Sequence, residues 1–250
     1  MFIHVKTFIK MKKTTRFLVF MAMSAALLMA GCGKEENGGN NDGGGSSTSA
    51  EWVDLGLPSG LLWASCNVGA TAPEEYGDYF AWGETTTKEV YNWSSYRYCT
   101  VDDEGGLSTL TKYNTSTDFG TVDNLTTLEP GDDAATANMG DGARTPTYDE
   151  WRELLNTTTT EWTTLNGVNG RRLTSTTNGN SIFLPATGYR DGTELLCTGS
   201  EGEYWSSSLT LIADYPNDAR GFLFSSSAQV VGGDHRYCGF SVRAVRASQN

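Results

Sequence analysis

Apolar positions fall into three regimes along the 250-residue chain. Residues 17–30 are an almost unbroken apolar run behind Lys12, Lys13 and Arg16. Fourteen residues, all but Ser24 apolar, after a basic start fit a signal h-region, and a relaxed transmembrane span needs about 20. Met11-Lys12-Lys13 opens a better-proportioned leader than Met1. Residues 33–50 carry Gly, Asn, Ser and Asp with no aromatic residue, a composition that cannot bury a core and predicts a flexible tether. From residue 51 the pattern changes to short apolar runs separated by Gly, Asn, Asp and Ser turns, which predicts a β-rich domain. Strands are predicted at residues 61–64, 181–184, 221–224, 229–231 and 240–245, with Gly232-Gly233-Asp234 as a hairpin connection.

One helix is legible in detail. Thr147-Tyr148-Asp149-Glu150 has the form of a capping box, in which the threonine hydroxyl accepts a backbone N–H and the glutamate reaches back to the cap. Asp149 and Glu150 also suit the positive end of the helix dipole. Tyr148, Trp151, Leu154 and Leu155 then share a face that should pack on the sheet. Pro146 keeps the helix from starting earlier, and Asn156 with the four threonines after it should end it. A second, short helix is predicted around residues 132–137.

Two hundred residues are ample for a single domain, and all seven Trp and all eleven Tyr lie within 51–250. The predicted organisation is therefore 1–31 leader, 32–50 tether and 51–250 one domain. Of the 18 Lys and Arg, five lie in the leader, which holds no acids. The remainder carries 13 basic against 30 acidic residues, a formal net of −17. That charge argues against nucleic acid and polyanions as partners.

The leader ends Leu28-Met29-Ala30-Gly31-Cys32, which resembles a bacterial lipobox. The resemblance implies cleavage before Cys32, lipidation of its thiol, and stable anchoring in the outer membrane through several acyl chains. Gly33-Lys34-Glu35-Glu36 resembles the surface-export signal of some Gram-negative lipoproteins and favours display on the cell surface. Four cysteines remain, Cys66, Cys99, Cys197 and Cys238. Outside the cytoplasm an even number suggests disulfides. Three pairings are open, of which the sequence-local Cys66–Cys99 and Cys197–Cys238 is favoured, against free buried thiols.

The run from Trp52-Val53-Asp54-Leu55-Gly56 to Leu61-Leu62-Trp63-Ala64 resembles the opening of the Fibrobacter succinogenes major paralogous domain family. Tyr79-Phe80-Ala81-Trp82-Gly83-Glu84, Arg144-Thr145-Pro146-Thr147, Tyr204-Trp205-Ser206-Ser207 and Val242-Arg243-Ala244-Val245-Arg246 continue the pattern over residues 51–248. The resemblance implies an α+β, C-type-lectin-like fold: a twisted antiparallel sheet with one or two flanking helices and long loops. It assigns no activity. The calcium loop of sugar-binding C-type lectins is not transferred, because Glu129-Pro130-Gly131 lacks the amide and Tyr204-Trp205-Ser206 offers no carboxylate. No motif supports moving the reactive cysteine pair of the oxidase relatives onto Cys197 or Cys238. The polyanion binding of a related collagen-like adhesin conflicts with the charge.

Candidate chemistry is sparse. His235 is the single histidine after the leader and falls in a predicted turn, so a nucleophile–histidine arrangement would depend on it alone. Thirty acids permit a facing carboxylate pair without indicating one. Glu129, Asp132, Asp133 and Asp141 lie within 13 residues among glycines and could supply oxygens to Ca2+, against a plain reading as caps and turns. Eight aromatic residues fall between 76 and 98. Most are expected in the core, with Tyr79, Trp82, Trp93 and Tyr96 the candidates for a ligand-stacking platform. Arg243 and Arg246 are expected to pair with acids such as Asp54 or Glu84. The leading expectation is a non-catalytic surface binding module for a glycan or a protein partner, with no cofactor. The alternatives are a structural or adhesive envelope component, and, last, a carbohydrate-active enzyme.

Overall fold

A computed structural model describes residues 51–211 and 215–248. The leader, Cys32 and the tether lie outside the described residues. The strands, in chain order, are β1 Trp52–Asp54, β2 Leu61–Ala64, β3 Cys99–Val101, β4 Leu107–Leu110, β5 Thr158–Leu165, β6 Val168–Ser175, β7 Ser181–Pro185, β8 Tyr189–Asp191, β9 Glu194–Leu196, β10 Glu201–Leu209, β11 Asp218–Ser225, β12 Gln229–His235 and β13 Val245–Ala247. Two α-helices, α1 Ala134–Met139 and α2 Tyr148–Thr157, lie between β4 and β5. The strands pair antiparallel in three three-stranded sheets, β1-β2-β13, β5-β6-β7 and β10-β11-β12, and two hairpins, β3-β4 and β8-β9. The described fold is thus mostly antiparallel sheet with two helices.

Helix α2 follows its sequence. Thr147 Oγ1 accepts from Glu150 N at 3.2 Å, and Glu150 Oε2 accepts from Thr147 N at 2.8 Å, closing the capping box. Trp151 and Leu154 are fully buried, while Tyr148 and Leu155 are half-buried. Each buried side chain of this size contributes roughly 2 kcal/mol. The helix runs to Thr157, one residue past Asn156, and the threonines that end it become β5, where β-branched side chains fit a pleated surface. Strand β5 turns into β6 through Asn166-Gly167, with Leu165 paired to Val168 and φ of 48° and 84° at the two turn residues. Asn-Gly accepts the two positive φ values that a type I′ hairpin requires.

Two expectations are corrected. Gly232-Gly233-Asp234 is not a turn: these residues lie inside β12, opposite Gly221, Arg220 and Ala219. A Cβ on Gly233 would stand 2.7 Å from Thr210 Oγ1, so its glycine serves a close strand approach. The connection of β11 to β12 is made instead by residues 226–228. Likewise, residues 240–245 do not form one strand. Phe240 and Ser241 make single bridges to Phe80 and Tyr204, and regular pairing begins at Val245.

Strand β10 is buried along most of its length and joins two apolar clusters. Tyr204 packs with Trp63, Trp151, Leu154 and Phe222, whereas its neighbour Trp205 packs with Phe80, Trp82, Leu209 and Phe240. The alternation of side chains along a strand places these neighbours on opposite faces. Trp205 stacks on Phe240 at 4.0 Å, and its indole N–H donates to Phe80 O at 2.8 Å.

Candidate functional site

Three of the four candidate platform aromatics belong to the interior, a correction to the platform expectation. Tyr79, Trp82 and Tyr96 are buried, and each spends its polar atom on a backbone carbonyl. Tyr79 donates to Thr187 O at 2.6 Å, Trp82 to Ser206 O at 2.8 Å, and Tyr96 to Trp82 O at 2.9 Å. Burial raises the Tyr79 and Tyr96 hydroxyls above the ordinary phenol range. Their faces pack on neighbours and are closed to a ligand. Trp93 alone of the four is half-buried.

The four candidate cation ligands are taken up separately. Asp133 caps α1, accepting from Ala135 N at 2.9 Å and Thr136 N at 3.1 Å, and it also binds Thr145 N and Oγ1. Asp132 accepts from Tyr98 OH and Tyr113 OH, both at 2.6 Å, and from Lys112 Nζ at 2.5 Å. Burial would lift the Asp132 carboxyl, but these bonds outweigh it and hold it below the usual range. Glu129 shares the Lys112 ammonium at 2.5 Å, and Asp141 pairs with Arg246. Among the described residues no group of three or more His, Cys, Asp or Glu side chains is placed to hold a metal ion. The four carboxylates are used in one helix cap and three ion pairs, Lys112–Glu129, Lys112–Asp132 and Arg246–Asp141.

No disulfide joins the four described cysteines, so the pairings Cys66–Cys99 and Cys197–Cys238 are not formed in the structure. Cys66 and Cys238 are buried, Cys99 is half-buried and donates to Trp93 O at 3.1 Å, and Cys197 is exposed. Burial raises the Cys99 thiol to about 11; Cys197 is exposed as a residue, but partial covering of its thiol together with the nearby Glu201 and Glu203 carboxylates raises it to about 12. Neither thiol has the depressed value of a nucleophile.

Arg246 meets an acid, as expected, while Arg243 departs from expectation. Neither meets Asp54 or Glu84: Arg246 pairs with Asp141, and Arg243 is fully buried among neutral acceptors. Its guanidinium donates to Asn67 Oδ1 at 2.9 Å, Ala64 O at 3.0 Å, Ser65 O at 2.6 Å and Phe183 O at 2.9 Å. It is a strut that ties the β1-β2-β13 sheet region to β7.

The half-buried aromatic residue Trp93 leads to the one surface cluster that combines rings with a polar pair. Asn92 caps the 3-10 turn Trp93–Ser95 with a capping box, which fixes the Trp93 backbone. The Trp93 ring lies 4.8 Å from Tyr237 at 75° and 5.7 Å from His235 at 50°. His235 and Tyr237 are 5.5 Å apart at 40°. All three are half-buried. His235 is not in a turn: it closes β12, paired with Asp218 on β11, and its Nδ1 lies 2.6 Å from Asp218 Oδ1. Asn217 Nδ2 approaches the same nitrogen at 3.3 Å. Cys238 N donates to His235 O at 3.0 Å and folds the chain so that Tyr237 stands beside its neighbour. The cluster offers inclined ring faces and an oriented imidazole. Tyr237 and Asp218 were not singled out by sequence. The available signal was weak, a histidine with a tyrosine two positions on, because the two meet through the turn that follows β12 and not along an extended strand.

A depression of about 370 Å3 elsewhere is lined by Thr109, Leu110, Thr111, Gly120 and Thr121, which bring hydroxyls but no carboxylate, imidazole or thiol. Comparison with protein-family models, with curated proteins and with solved structures finds no match to this chain in any of the three. Among the described residues no helix is long and apolar enough to cross a membrane.

Proposed function

We propose that this chain is a surface-displayed outer-membrane lipoprotein, anchored through Cys32, whose domain from residue 51 is a non-catalytic binding module of the Fibrobacter succinogenes major paralogous type with a C-type-lectin-like fold. The supporting observation is the Trp93–His235–Tyr237 cluster, three mutually inclined, half-buried rings around a His–Asp pair. Aromatic side chains with one apolar face and one polar handle are the usual anchors of recognition surfaces.

A second reading, a structural envelope component without a small ligand, is favoured by the burial of Tyr79, Trp82 and Tyr96. The two are separated by a glycan array and a cell-envelope pull-down with the mature, full-length lipoprotein in detergent. The binding module predicts a ligand whose retention is lost in Trp93→Ala, with unchanged circular dichroism. Retention that is indifferent to Trp93→Ala points to the structural reading.

A further inference from the structure

We infer that the Trp93–His235–Tyr237 face takes a neutral pyranose, a sugar ring without carboxylate, sulfate or phosphate, and reads its hydroxyls through one acceptor and one donor. The inference rests on the binding-module reading above and adds the ligand class. The acceptor follows from the Asp218 contact. A carboxylate only accepts, so the 2.6 Å contact to Asp218 Oδ1 assigns the proton of the neutral imidazole to Nδ1. Nε2 is left as a lone pair, and it has no hydrogen-bond partner among the described residues. The donor is the indole N–H of Trp93, which likewise has none among them; the indoles of Trp82, Trp151 and Trp205 are each bonded to a carbonyl, and that of Trp63, also without a partner, is buried and closed to a ligand.

Acceptor and donor belong to rings 5.7 Å apart, the scale of a single sugar ring. Adjacent hydroxyls, each able to donate and accept, match that pair. Trp93 and Tyr237, inclined at 75°, form a corner rather than a flat shelf, so one ring can stack on the C–H face of the sugar while the other bounds its edge. Charge excludes acidic sugars. Asp218 lies directly behind the imidazole, and Asp234 sits beside it, accepting from His235 N at 2.6 Å. Of the neighbouring cations, Arg236 is fully buried and turned inward to Lys112 O and Pro216 O, and Lys88, which donates to Ser95 O of the Trp93 turn at 3.0 Å, is neutralised by Glu84 at 2.8 Å. A carboxylate or sulfate on the ligand would meet this acidic ground, within a chain of net −17 after the leader, without a compensating guanidinium.

The test is calorimetric titration of the mature, full-length lipoprotein in detergent with methyl hexosides and lactose, and in parallel with glucuronate, sialyllactose and a sulfated disaccharide. Neutral sugars are expected to bind, acidic ones at least about tenfold more weakly. Trp93→Ala is expected to lower affinity about tenfold or more, and His235→Phe, which keeps a ring and removes the acceptor, about fivefold. Unchanged circular dichroism and melting separate these losses from misfolding. Tighter binding of acidic sugars, or full affinity in His235→Phe, overturns the ligand class while a Trp93-dependent loss still upholds the binding face. If no sugar binds and an aromatic-rich peptide does, the glycan assignment falls and the module reading survives. If neither binds and both variants behave as the parent in the envelope pull-down, both fall.

Discussion

Arg243 shows at the level of one residue how this chain treats a buried charge. Four acceptors surround a guanidinium with no carboxylate, and burial alone pushes its proton affinity down from the ordinary arginine value. Five planar donors make the arrangement possible, and a lysine cannot reproduce it. Arg243→Ala is expected to cost roughly 3–5 kcal/mol in urea unfolding, because it strands three carbonyls and an amide in the core. Arg243→Lys should recover only part of this. The thiols make a second expectation. With values of about 11 and 12, Cys99 and Cys197 should alkylate at pH 8 at least about tenfold more slowly than free cysteine, as read by mass spectrometry after timed iodoacetamide treatment. Rapid labelling of the exposed Cys197 would contradict the acidic setting that Glu201 and Glu203 give it.

Elements built from contiguous signals were the legible ones. Helix α2 was readable because its cap, its dipole charges and its apolar face all lie within ten residues. Thr147→Ala is expected to cost about 1 kcal/mol by removing one half of the capping box. The same helix start has a pH dependence. Burial would raise Glu150, but hydrogen bonds from Arg144 and Thr147 outweigh it, and its carboxyl is held below the usual range, as is that of Asp132. Both therefore bind fewer protons folded than unfolded, and their contribution is present at neutral pH. It should fall away as pH drops through about 4 and below, where the unfolded carboxyls take up protons. Urea midpoints at pH 7 and pH 3 should differ less in an Asp132→Asn, Glu150→Gln double variant than in the parent. Strand β12 was not legible at its full length, since its Gly233 answers to Thr210 and Ala219, which are far away in sequence. Strand β5 was hidden by its threonines, which read as helix breakers until the Asn166-Gly167 turn is weighed with them. The surface cluster was hidden for the same reason as β12: Trp93, Asp218 and His235 meet only through the fold. Eight aromatic residues between 76 and 98 were visible, but density alone did not separate Trp93 from the three that pack inside.

Across the whole molecule, the two apolar clusters share β10, so neither can be removed without exposing the other's strand. A single cooperative unfolding transition is expected, with near-UV and far-UV signals changing together. Gly188 marks a point where this packing tolerates nothing larger: its φ is +62°, and a Cβ would lie 1.9 Å from Leu196 O. Gly188→Ala should lower the melting temperature far more than Gly192→Ala, whose Cβ meets nothing within 4 Å although its φ is also +62°.

The first and last described strands, β1 and β13, flank the same central strand β2, with Trp52 opposite Ala64 and Ala247 opposite Leu61. From residue 51 to residue 248 the described chain thus begins and ends on the two flanks of one strand. Joining its ends with a short Gly/Ser bridge and reopening the ring at Asn166-Gly167 should preserve the architecture, and a permuted protein that melts as one species near the parent temperature would show it.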